Sequence, residues 1–168
     1  AVLGALGVGA IAGASWQVFG RRAGLVGGLI GAFVWPIAHY NISLYSQGSL
    51  SILGAFVIAV GMWVIANPSL RGAVLFGVLT GLAVLLRPNS LFFTLALLLA
   101  MVITRGSTVV KYGWKRVGGV IAVATLFTVL MIMPQTIANW SVGQNDFVSS
   151  NGPENLYNGN NRDSSGMH

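Results

Sequence analysis

Arg87-Pro88-Asn89 lies between two apolar stretches, and it is the first place in this chain where residue type and setting suggest chemistry. A guanidinium grips phosphate through two parallel hydrogen bonds, and a low dielectric strengthens the pairing. A cation at the centre of a lipid-spanning helix costs about 2.5–3.5 kcal/mol on insertion scales, and less near a helix end where it can snorkel. Arg87 therefore has two readings, an anion site for phosphates on lipids or lipid-linked sugars, and plain snorkelling to headgroups.

His39-Tyr40-Asn41 closes another apolar stretch. His39 can act as acid, base or ligand near neutral pH, and the plainer reading makes His39 and Tyr40 anchors in an interfacial aromatic belt. Trp35, Tyr45 and Trp140 fit that belt, and Trp63, Tyr112 and Trp114 fit one on the opposite side. The C-terminal segment carries Asn155, Tyr157, Asn160 and Asn161 within Asn145–Asn161. Amides match pairs of sugar hydroxyls, and aromatic rings stack on sugar faces. The alternative is a disordered polar tail, against which stand the apolar anchors Phe147, Val148, Leu156 and Tyr157. Asn41-Ile42-Ser43 and Asn139-Trp140-Ser141 match the glycosylation sequon, a pattern short enough to arise by chance.

Other chemistry is missing. No carboxylate lies within or between the apolar stretches, since Asp146, Glu154 and Asp163 all fall in the tail. Proton-coupled pumps usually place one inside the membrane. No His/Asp/Glu cluster has metal-ligand spacing, so no metal or other cofactor is expected. No phosphate-binding Walker loop occurs; the many glycines sit inside apolar runs. With no cysteine there is no disulfide, thiolate site or thiol nucleophile.

The elements that position these residues follow from composition. The chain is 55% hydrophobic and 7% charged, with mean hydropathy +0.77. A soluble domain carries about 25% charged residues, so the expected solvent is lipid. The expected fold is all-α: a polytopic transmembrane helical bundle with segments at about 1–19, 24–40, 50–66, 72–86, 89–104 and 117–136, then an extracytoplasmic polar tail at 137–168. Pro68 should end the third segment and Ser69 cap the fourth. Gly9/Gly13, Gly24/Gly28, Gly27/Gly31 and Gly77/Gly81 have the small-xxx-small spacing that lets helices approach closely, here expected within the chain. The sequence opens in mid-hydrophobe without a basic leader, which reads as a fragment rather than a signal peptide.

Charge orders the sides. Connectors after the odd segments hold Arg21, Arg22, Arg71, Arg105, Lys111, Lys115 and Arg116, and those after the even segments hold only Arg87 and Arg162. This asymmetry predicts basic loops in the cytoplasm, with the N-terminus and tail outside an inner (plasma) membrane. The net charge of +6 thus reads as topology, not as a nucleic-acid surface. A single helix over 72–104 would be about 50 Å long, too long for a core of roughly 30 Å, and would reverse the parity. Two short passes meeting at Arg87-Pro88-Asn89 are expected instead, their turn below the outer surface in a protein-lined cavity.

Three stretches carry a family likeness: Phe19-Gly20-Arg21-Arg22-Ala23-Gly24, Leu82 to Asn89, and Pro134 to Asn139 followed by Phe147 to Gly152 and Asn155 to Asn161. In this order and spacing the chain resembles polytopic membrane glycosyltransferases of the GT-C class, bacterial relatives of protein mannosyltransferases and lipid A aminoarabinose transferases. The resemblance covers nearly the whole chain. It implies transfer of a sugar from a polyprenyl-phosphate donor to a lipid, glycan or protein acceptor on the extracytoplasmic face. It also implies that Arg87 binds the donor phosphate and that 151–161 borders the sugar site, with the general base, a carboxylate, upstream of Ala1. Three positions depart from the pattern: Ser46-Gln47 stands where relatives have Ser-Glu, Ala138-Asn139 where they have Arg-Asn, and Gly152-Pro153 where they have Gly-Gly. The alternative from another class is a non-catalytic membrane protein (transporter, flippase or scaffold subunit), which needs only packed helices and an anion-binding arginine.

Overall fold

The computed structural model describes residues 2–34, 46–103, 112–149 and 157. They form α1 (Val2–Phe19), α2 (Arg21–Phe33), α3 (Ser46–Ala66), α4 (Leu70–Leu86), α5 (Ser90–Ile103) and α6 (Trp114–Ser141), with no strand among the described residues. The chain is therefore all-α as expected. Two helical stretches, Gly48–Ala66 and Trp114–Ser141, are long and apolar enough to cross a membrane. At 1.5 Å per residue α3 reaches about 32 Å and α6 about 42 Å, whereas α4 and α5 reach only about 26 and 21 Å.

The breaks follow local chemistry. Gly20 adopts φ 88°, a left-handed value open to glycine at little cost, and separates α1 from α2. Ser69 is extended, and its hydroxyl accepts the Gly72 N–H at 3.2 Å, the cap expected from sequence. The 72–104 stretch is two helices. Pro88 disfavours helical backbone at the residue before it. Arg87 is accordingly extended (φ −151°, ψ 117°) and ends α4.

α1 and α2 form an antiparallel hairpin: Gly24 faces Trp16 and Ala12, and Gly31 faces Ile11. α3 and α4 form a second around Asn67-Pro68-Ser69, with Gly72 against Trp63 and Val64. α4 is central. Its Ala73, Phe76 and Ala83 pack in one core with Val57 and Val64 of α3 and Val120 and Ala124 of α6. α4 and α6 run in the same direction, Gly77 lying against Ala124 and Gly81 against Thr128 and Met131. Parallel α4 and α6 require the chain to reverse between them, as α5 and the Arg87 elbow do. The Thr128 hydroxyl donates across this contact to the Gly77 carbonyl (3.2 Å).

Three boundaries differ from the hydropathy runs. α2 begins at Arg21 rather than 24, because a charged first turn can be helical at a water interface. α3 likewise begins at Ser46 rather than 50. α6 passes through Pro134 and ends at Ser141 rather than 136, its polar last turns being satisfied by the chain that follows. Among the glycine pairs, Gly24/Gly28, Gly27/Gly31 and Gly77/Gly81 serve close approach, but a Cβ at Gly9 or Gly13 would meet nothing within 4 Å among the described residues. That pair packs against no described helix, contrary to expectation.

Candidate functional site

The elbow between α4 and α5 is built by hydrogen bonds. The Arg87 N–H donates to Ala83 O (2.9 Å), and the carbonyls of Arg87, Pro88 and Asn89 accept from the N–H groups of Ser90, Leu91 and Phe92 (2.9, 3.1 and 3.1 Å). The opening amides of α5 are thus engaged within the turn, so an anion here would be held by the side chain of Arg87 and not by a backbone cradle. Arg87, Pro88 and Asn89 are exposed. The Arg87 guanidinium makes no hydrogen bond or ion pair with another described residue. The chemistry open to it is recognition of an external anion by a five-donor fork.

The parallel register fixes what lies at Arg87's level. Gly77 against Ala124 and Gly81 against Thr128 share one offset of 47 residues. Carried along both helices, that offset puts Arg87 level with Pro134. Just beyond, the chain folds back on α6. The Thr136 hydroxyl donates to Phe147 O (2.6 Å), and the Asn139 amide donates to Asp146 O (3.1 Å) and Val148 O (3.4 Å). Gln135 holds that amide in place by donating to Asn139 Oδ1 (2.8 Å), and Phe147 meets Trp140 edge-on at 6.0 Å. The start of the tail is therefore ordered at the same end of the bundle as Arg87. Asn139, buried and with its amide engaged, is not presented as a glycosylation acceptor.

The opposite end carries other cations. Arg71 opens α4, and Lys115 and Arg116 open α6. Arg116 donates from Nε to Pro68 O (2.9 Å) and stacks over Tyr112 at 5.2 Å, while the Tyr112 hydroxyl donates to Ala66 O (3.3 Å). A cation at the C-terminal end of α3 also complements its dipole. Arg116, read from sequence only as a topology signal, is in addition a clamp on the α3–α4 connector. Trp63 and Trp114 belong to this end as well.

Behind the elbow is a cavity of about 380 Å³ lined by α3, α4, α5 and Ile11. Thr80, Ser90 and Thr94 contribute hydroxyls to walls that are otherwise mostly apolar. Sequence reading passed over these three. A signal was available, because Thr80 is the one hydroxyl residue in α4, and Ser90 and Thr94 stand four apart on one face of α5.

Of the residues singled out from sequence, Arg87 is at the elbow and Tyr157 is 67% exposed. His39, Tyr40, Asn155, Asn160 and Asn161 lie outside the described residues, as do Asn41, Glu154 and Asp163. Among the described residues no group of His, Cys, Asp or Glu is placed to hold a metal ion. Comparison of the chain with protein-family models, with curated proteins and with solved structures finds no match.

Proposed function

We propose that this chain is the membrane-embedded part of a polytopic glycosyltransferase that moves a sugar from a polyprenyl-phosphate donor to a lipid, glycan or protein acceptor. In this reading all six helices lie in an inner (plasma) membrane. The Arg71, Lys115 and Arg116 end is cytoplasmic, and the Arg87 elbow and the tail are extracytoplasmic. Arg87 binds the donor phosphate. As the anomeric carbon–oxygen bond breaks, charge builds on the departing lipid phosphate, and a guanidinium fork stabilises it more than it does the bound donor. The acceptor hydroxyl loses its proton to a carboxylate that precedes Ala1, while His39, Tyr40, Asn155, Tyr157, Asn160 and Asn161 contact the sugar.

The observation that carries this reading is the exposed Arg87 at a break between two short apolar helices, level with the ordered start of the tail. The two short helices support a turn that sits deep, where a guanidinium would be poorly hydrated and its pairing with phosphate strong.

The test is Arg87→Lys in the full-length protein, assayed with a polyprenyl-phosphate sugar. A point charge cannot reproduce the bidentate fork. Losing one charge-assisted hydrogen bond, about 2 kcal/mol, should lower turnover about 30-fold with insertion unchanged. Equal turnover in the wild type and the variant would remove Arg87 from the site. A full-length protein with no transferase activity that still binds the lipid phosphate through Arg87 would favour a transporter, flippase or scaffold subunit.

A further inference from the structure

The cavity behind the elbow holds two hydroxyls with nothing to bond to. Thr80 is fully buried and Thr94 is 5% exposed, and the Oγ1 of each lacks a hydrogen-bond partner. Both line the same cavity, beside the 7%-exposed Ser90. A threonine inside a helix can return its hydroxyl to the carbonyl four residues back. Thr128 does so to Ala124 O (3.0 Å) and Thr136 to Ile132 O (3.3 Å). Thr80 and Thr94 forgo that bond. A buried hydroxyl without a partner is costly, so two facing one space point to an occupant that satisfies them.

The walls narrow the chemistry. Ile11, Leu50, Val57, Ile58 and Ala83 make most of the lining apolar. Water occupies about 30 Å³ per molecule and needs two to four polar partners, so the hydroxyls can hold one or two waters but cannot hydrate the whole volume. A plain hydrocarbon or isoprenoid chain would fill the volume and leave both hydroxyls unpaired. The occupant that fits joins an apolar chain to a hydrogen-bond acceptor. The Thr80 position lies about 10 Å along α4 from Arg87, at 1.5 Å per residue. An ester carbonyl of a membrane lipid sits at a comparable depth beneath its phosphate.

We propose that this cavity binds the ester region of an acyl lipid. The Thr80 and Thr94 hydroxyls donate to a carbonyl oxygen, and Leu50, Val57 and Ile58 pack along the chain. The site rests on the membrane reading above and does not depend on sugar transfer.

The test compares a diester phosphatidylglycerol with its diether analogue, which keeps the headgroup and chains and lacks the carbonyls. The chain is inserted into vesicles containing equal amounts of both, extracted in mild detergent and analysed by native mass spectrometry. Wild type should retain the diester about fivefold or more over the diether, the ratio for one neutral hydrogen bond. The double variant Thr80→Val, Thr94→Val should retain the two equally. Valine keeps the branched shape and removes an unpaired hydroxyl, so the lipid-free double variant should melt no lower than wild type. Equal retention by wild type would overturn the site, and so would an unchanged preference in the double variant. A lower melting temperature would show that the hydroxyls already have partners within the protein, and would overturn it too. Recovery of the chain in the aqueous fraction would overturn the membrane reading itself, an outcome distinct from equal retention.

Discussion

Adding one methyl group at Gly77 tests the α4–α6 contact. A Cβ there would press into the Ala124 backbone carbonyl and stand 2.8 Å from Phe127 Cβ. The obstacle is backbone, so no side chain can rotate away, and the helices must separate by close to 1 Å. Overpacking of this kind costs about 1–3 kcal/mol. Separation also stretches the Thr128–Gly77 hydrogen bond, 3.2 Å at rest, and forfeits about 1 kcal/mol more. Against this, alanine gains about 1 kcal/mol over glycine in helix propensity. Gly77→Ala should therefore destabilise the bundle by about 2 kcal/mol, a factor of about 30 in the unfolding equilibrium. Gly118, one helix over, is the control, because a Cβ there meets nothing within 4 Å. Gly118→Ala should be neutral or stabilising by up to about 1 kcal/mol. Reversible unfolding of both variants in mixed micelles, followed by circular dichroism, measures the difference. Equal stability of the two would refute the parallel α4–α6 packing from which the level of Arg87 is derived.

Other consequences concern the two ends of the bundle. Arg116→Ala removes the bond to Pro68 O and the stacking on Tyr112; Arg116 is exposed, so the loss should be about 1 kcal/mol, read in the same unfolding assay. Asn139→Ala removes both bonds that hold the chain at Asp146 and Val148, so hydrogen exchange and proteolysis at 144–149 should accelerate while α6 stays protected. If a glycosylating host expresses the protein, Asn139 should carry no glycan in the folded state, as glycopeptide mapping would show.

What could be read from sequence was whatever local backbone physics decides. Pro68, Pro88 and Gly20 punctuate the chain through their own φ preferences and those they impose, and Ser69 caps through an atom three residues from its partner. Hydropathy located the apolar runs but reports preference for lipid, not helicity. It therefore missed the first turn of α2, where Arg21 and Arg22 are helical, and the last turn of α6. There Thr136 and Asn139 remain helical because their side chains bond to residues 146–148. Glycine spacing announced close packing without naming a partner. Gly77 and Gly81 meet α6, whereas Gly9 and Gly13 with the same spacing meet nothing described. At the candidate site, Arg87 stood out because a cation between apolar runs is costly. Thr80, Ser90 and Thr94 did not, since hydroxyls are common in membrane helices and their convergence on one cavity depends on how α3, α4 and α5 pack.

The central claim is that Arg87 stands at the extracytoplasmic elbow of two short passes, at the opposite end of the bundle from Lys115. The chain contains no cysteine, so Arg87→Cys and Lys115→Cys each introduce a single thiol. A membrane-impermeant maleimide applied to intact cells should label position 87 from outside and should reach position 115 only after the membrane is opened. Labelling of both positions from one side, or of position 87 only from within, would contradict the account.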